Sequence, residues 1–175
     1  MKFWKLLLFI PLFIVSCQSG PKLSPEELRS KWQSPLAISA LNVGICQGVA
    51  ETAQDVQAGT SEGLAAVGEL FAAAMVIQQV DEVLEQAAPT ADQTNLVEQM
   101  QNDSAALKAL VGPWINNEIT STDVLKSIDE VCADTQATFE AVVAAAIDDG
   151  LSEEVAAAIL KEVANSMETS LEESQ

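Results

Sequence analysis

Residues 122–149, "TDVLKSIDEVCADTQATFEAVVAAAIDD", decide the fold class. Val124, Ile128, Val131, Phe139, Val142 and Ala146 recur at spacings of three, four or their sums. That period lays one apolar stripe along a helix, whereas a half-buried strand requires strict alternation. Valine is common here, but alanine, a strong helix former, dilutes it. Ser121 is expected to cap the segment, and Gly150 to end it in a left-handed conformation.

Working outward from this stretch, the same pattern repeats. "SPLAISALNVGICQGVAETAQDV" (34–56) places Ser34 and Pro35 at cap and first-turn positions, with Ile38, Leu41, Ile45, Val49, Ala53 and Val56 inward, and Gly59 beyond. The next segment, capped by Thr60 or Ser61, carries Leu64, Val67, Phe71 and Met75, with Leu70 and Ile77 offset, and stops at Pro89. A third begins at Thr90 with Gln93 three residues on. It turns Leu96, Met100, Leu107 and Val111 inward, and Gly112-Pro113 is expected to break it before a short turn holding Trp114 and Ile115. Ser152 caps the last, with Val155, Ile159, Val163 and Met167 inward. No strand pattern competes. Short turns between helices favour antiparallel neighbours, so the expectation is an all-α antiparallel bundle of about five main helices. A short helix precedes them: in "SPEELRSKW" (24–32), Ser24 and Glu27 make a capping box around Pro25.

The first residues follow other rules. In "LLLFIPLFIVSCQSG" (6–20) the apolar run from Leu6 to Val15 contains Pro11, and it is half the roughly 20 residues a bilayer span needs. Lys2 and Lys5 before it and small residues after it match an export signal. Ile14-Val15-Ser16-Cys17 resembles the lipobox of bacterial lipoproteins, with isoleucine where leucine is most usual. The resemblance covers residues 1–20 only. It implies a signal peptide at 1–16, diacylglyceryl attachment to Cys17, acylation of the new amine (palmitate is typical), and export. Gln18, not aspartate, follows the cysteine, which in some bacteria implies sorting to the outer membrane, facing the periplasm or the exterior. Residues 17–23 then form the lipidated cysteine and a short tether, 24–171 the helical domain and 172–175 a frayed tail. Two or more acyl chains make anchoring stable, and the five residues Gln18–Lys22 reach about 17 Å.

Composition narrows the function. The chain has 8 basic and 26 acidic residues, a formal charge of −18. Loss of a leader ending at Ser16 removes Lys2 and Lys5 and no acid, so 6 − 26 gives −20 for the remainder. Nucleic acid is therefore not an expected partner, since phosphate binding needs clustered Lys and Arg. With no histidine and no tyrosine, the commonest general bases and metal ligands are missing, and no triad with histidine can be built. Carboxylate pairs such as Asp129-Glu130, Asp148-Asp149 and Glu153-Glu154 read as helix ends and solvated faces more readily than as a glycosidase pair. In "IDDGLSEE" (147–154), aligning Gly150 with a calcium-loop glycine puts Ala145 and Ile147 where oxygen ligands are needed. No enzyme, metal or cofactor is expected.

Four expectations about residues follow. Cys46 and Cys132, 86 residues apart in an oxidising compartment, are expected as a disulfide, with two buried thiols as the alternative. Arg29, Lys31 and Trp32 suit a membrane interface or else pack on the bundle itself. Phe71, Met75, Met100, Phe139 and Met167 either fill an ordinary core or line a cavity for a lipid or other apolar ligand. Finally, 59–75 and 150–167 echo each other, each following a cysteine helix, as a duplicated hairpin would. The sequence thus favours a lipid-anchored envelope protein acting as an interaction or structural module, with an envelope protein as partner. A tethered carrier of apolar ligand is the alternative.

Overall fold

The computed structural model describes residues 23–60, 63–86, 89–90 and 93–172. These fold into five helices: α1 (Pro25–Ala58), α2 (Gly63–Gln86), α3 (Thr94–Ile115), α4 (Ser121–Asp148) and α5 (Glu153–Glu172). The architecture is an all-α bundle, without strands among the described residues. α1 is its axis, packing against all four other helices and most extensively against α4; α5 rests on α1 and barely touches α4. Because α2 instead leans on α1 and α3, the two echoing segments do not form equivalent hairpins.

The short first helix and the helix expected from Ser34 are one element, 34 residues long and so about 51 Å. Ser24 and Glu27 close the capping box as expected. Pro35, however, lies inside the helix, where its missing N–H orphans the carbonyl of Lys31. A residue distant in sequence repairs the gap. The side-chain amide of Gln93, itself 5% exposed, donates to the Lys31 carbonyl at 3.1 Å. Gln93→Ala should remove that bond and lower stability by about 1 kcal/mol, read by urea unfolding. An unchanged midpoint would mean that the helix tolerates Pro35 without help.

Two other ends differ from expectation. α3 does not stop at Gly112-Pro113 but continues to Ile115, because proline in the last turn disrupts little beyond it and Trp114, 8% exposed, packs inward. The turn closes through Asn117 at φ 57°, a left-handed position that asparagine tolerates. The cap of α4 is Thr120, not Ser121, with Asp123 completing a capping box. Thr90 and Gln93 bond each other one turn ahead of α3 without capping it.

Gly59 (φ 67°) and Gly150 (φ 108°) terminate α1 and α4. After α4, the Gly150 N–H bonds the Ile147 carbonyl and the Leu151 N–H bonds the Ala146 carbonyl. This is the paired closure that a left-handed residue permits, and it buries Leu151.

The core has two apolar halves. One gathers Leu28, Trp32, Leu36, Met100, Val142 and Ile159. The other gathers Ile45, Cys46, Leu107, Val111, Val124 and Ile128. On α1, α3 and α4 the sequence between the halves supplies Asn42, Asp103, Ser104, Thr135 and Thr138, all buried. α1 is long and apolar enough to cross a membrane, yet half of its most apolar window is buried in the bundle. Packing accounts for its composition.

Candidate functional site

Three features stand out: the α1–α4 crosslink, the polar layer between the core halves, and a charged knot around Trp32. Cys46 lies fully buried on α1, Cys132 lies opposite on α4, and their sulfurs are bonded with Cα atoms 5.5 Å apart. That separation is near the commonest value for a disulfide.

In the polar layer, Asn42 donates through Nδ2 to the Met100 carbonyl at 3.3 Å. Thr135 donates to the Cys132 carbonyl at 3.0 Å. Ser104 donates to Asp81 of α2, whose other oxygen takes Lys108 at 2.9 Å. Burial pushes against the charged form of Asp81, but these two donors together hold its carboxyl below the usual range. Asn42 Oδ1 and Asp103 Oδ2 have no protein partner. Polar groups at core positions fix helix register at a cost in stability, so the layer sets how α1, α3 and α4 slide against one another.

Asp103 carries that cost. Burial raises its carboxyl above the ordinary range, a hydrogen bond with Thr138 opposes the rise, and the charge of Asp134 adds to it. A raised folded value means that the native state holds the proton more readily than the unfolded chain. The group's contribution is therefore fully present below the unfolded value near 3.8 and lost as pH rises through the folded one. Asp103→Asn should accordingly raise stability at pH 7 by about 1 kcal/mol, and the gain should vanish near pH 4. A thermal melt at both pH values checks this. A loss of stability at pH 7 would show that the ionised carboxylate is needed.

The knot lies where the start of α1 meets the end of α4. Trp32 is 1% exposed, and its Nε1–H donates to Asp149 Oδ2 at 2.8 Å. Lys31 Nζ reaches the same oxygen at 2.9 Å and lies 5.4 Å from the Trp32 ring centre. Arg29 pairs with Glu162 of α5 at 2.7 Å. Of the two expectations for this trio, these contacts fit packing on the bundle: Trp32 is core, Lys31 is drawn onto Asp149, and the half-exposed Arg29 is paired with Glu162.

The candidate apolar lining divides as well. Met100 is fully buried and Phe139 packs against the first core half. Phe71 and Met75 are 53% and 63% exposed, on the outside of α2. The buried stripe of α2 is instead Leu70, Ile77, Val80 and Leu84. These residues therefore do not surround one cavity. The side chain of Met167 lies outside what the structure describes, as do Cys17 and the whole lipobox. A groove of about 190 Å³ between α1 and α5, lined by Gln33, Ala37, Ile159, Glu162 and Val163, is smaller than the roughly 300–1,000 Å³ of ligand pockets.

Among the described residues no group of three or more Cys, Asp or Glu is placed to hold a metal ion. Sequence reasoning missed the polar layer, although its signal was present: Asn42 and Thr135 interrupt stripes that are otherwise apolar. Comparison with protein-family models, with curated proteins and with solved structures finds no match.

Proposed function

We propose that this chain is a non-enzymatic, lipid-anchored envelope protein whose helical bundle is an interaction or structural module facing the periplasm or the exterior, with the outer membrane as its site. The observation that carries the reading is Ile14-Val15-Ser16-Cys17, following a short apolar run with Lys2 and Lys5 before it. The bundle is compatible with this role. Its first helix starts at Pro25, eight residues after Cys17, so the body stays within a short tether of its anchor. A crosslink between the two most extensively packed helices suits an oxidising compartment. The division of the candidate lining residues between core and surface weighs against a ligand carrier.

Cys17→Ser is the direct test. The variant should move from the membrane pellet to the soluble fraction, because a chain without acyl groups has no stable anchor. Continued pelleting after a salt wash would count against lipidation. Native mass spectrometry of the full chain in detergent separates the module from the carrier. The module shows only its covalent lipid, whereas a second, non-covalent lipid at one copy per chain would favour the carrier.

A further inference from the structure

Two buried oxygens in the polar layer meet no donor from the protein, Asn42 Oδ1 on α1 and Asp103 Oδ2 on α3. The rest of the layer is satisfied: Ser104 donates to Asp81, Thr135 donates to the Cys132 carbonyl, and Thr138 bonds the carboxyl of Asp103. Asn42 is fully buried and Asp103 is 7% exposed, so bulk solvent does not complete them. A buried acceptor without a donor carries its full desolvation penalty, and native proteins leave few groups in that state. Turning the Asn42 amide over does not help. Its Nδ2–H donates to the Met100 carbonyl at 3.3 Å, and the turned amide would set two acceptors face to face.

Both oxygens belong to one junction of the bundle. Asn42 is pinned against Met100, and Asp103 follows three residues later on the same buried face of α3, about 4.5 Å along the axis. A helix carbonyl points towards the C-terminus, whereas the Cα–Cβ bonds tilt towards the N-terminus. The Asn42 amide, held by the Met100 carbonyl, and the Asp103 carboxyl are therefore brought towards one level from opposite directions. Asp103 also bonds Thr138 of α4, so α1, α3 and α4 all meet there.

We infer that this junction holds one buried water molecule, which donates one O–H to Asn42 Oδ1 and the other to Asp103 Oδ2. Both orphan atoms are acceptors, and a water supplies two donors. With bonds of about 2.8 Å it links oxygens up to roughly 5.5 Å apart, more than the axial step between Met100 and Asp103. Buried waters occur about once per 27 residues and complete groups of this kind. A calcium-like cation takes roughly six to eight oxygens, and among the described residues no three Cys, Asp or Glu side chains converge on a metal position. The water ties α1 to α3 where the core halves meet. It also solvates Asp103, whose charge is disfavoured by burial and by Asp134.

The test uses the full chain in detergent micelles and water enriched in oxygen-17. Relaxation dispersion counts the waters that stay bound for longer than the protein takes to tumble. Asn42→Leu and Asp103→Leu each remove one acceptor at similar side-chain size, and each should lower the count by one. The double variant should also lose one, because the two acceptors share the same water. A second readout needs no variant. The side-chain amide protons of Asn42 in the unaltered chain should show direct cross-relaxation with water at pH 7. An unchanged count in the folded variants, or no such cross-relaxation, would overturn the proposal. Loss of two waters in the double variant would replace the bridge by separate waters. An Asp103 carboxyl carbon with the chemical shift of a protonated acid at pH 7 would overturn it in favour of a proton shared directly between the two oxygens.

Discussion

Replacing Cys46 and Cys132 together by alanine is expected to lower the unfolding free energy by about 4–5 kcal/mol, the loop-closure entropy of an 86-residue ring in the chain-entropy model. The bond joins α1 to α4, the pair that shares the most surface, so the crosslink reinforces the central packing and not a peripheral loop. Cys46 is fully buried beside Ile45 and Val49, so its truncation also leaves a small cavity. Reduction of the unaltered chain separates these contributions, because it opens the ring and keeps the atoms. Reduced protein should therefore lie between the oxidised protein and the alanine pair in urea unfolding. Mass mapping without reductant should give one linked peptide pair containing both residues. Free thiols at both positions, with no loss of stability on reduction, would remove the crosslink from the account.

Trp32→Ala should be nearly as damaging, about 3–5 kcal/mol for a large buried aromatic. Trp32 is 1% exposed and belongs to the first core half with Leu28, Leu36 and Ile159. Its indole N–H is also a donor to Asp149, so truncation removes both the packing and one of the two donors on that carboxylate. Trp32→Phe keeps most of the packing and should cost only about 1 kcal/mol, the worth of one hydrogen bond. The ratio of the two effects is the informative quantity. A loss below 1 kcal/mol for Trp32→Ala, together with weaker membrane binding, would return Trp32 to the interface role that its basic neighbours first suggest.

The contrast between Trp32 and Ile128 shows what the sequence can say. Ile128 sits in a stripe of period 3.6 flanked by polar residues, so a single helix determines its inward direction. Trp32 stands between Lys31 and Gln33, and the partner of its indole N–H is Asp149, which lies 117 residues away. Pro35 misleads for the same reason. Locally it marks a first turn, and the amide of Gln93, contributed from ahead of α3, takes up the Lys31 carbonyl where α1 runs through it. On α2, apolar residues cover nearly every side, and periodicity alone cannot rank the Phe71-Met75 stripe against Leu70-Ile77. The stripe lined by more branched aliphatic residues is the buried one. Cys17 belongs to the opposite case, since a lipobox is read from four adjacent residues and needs no fold.

Both the proposed anchor and the proposed envelope location depend on Cys17. Intact-mass measurement of the protein extracted from membranes tests it directly. The predicted result is a chain that begins at Cys17 and carries the added mass of a diacylglyceryl group and an amide-linked acyl chain. A mass equal to the unmodified polypeptide from Met1 to Gln175 would contradict both the anchor and the envelope location built upon it.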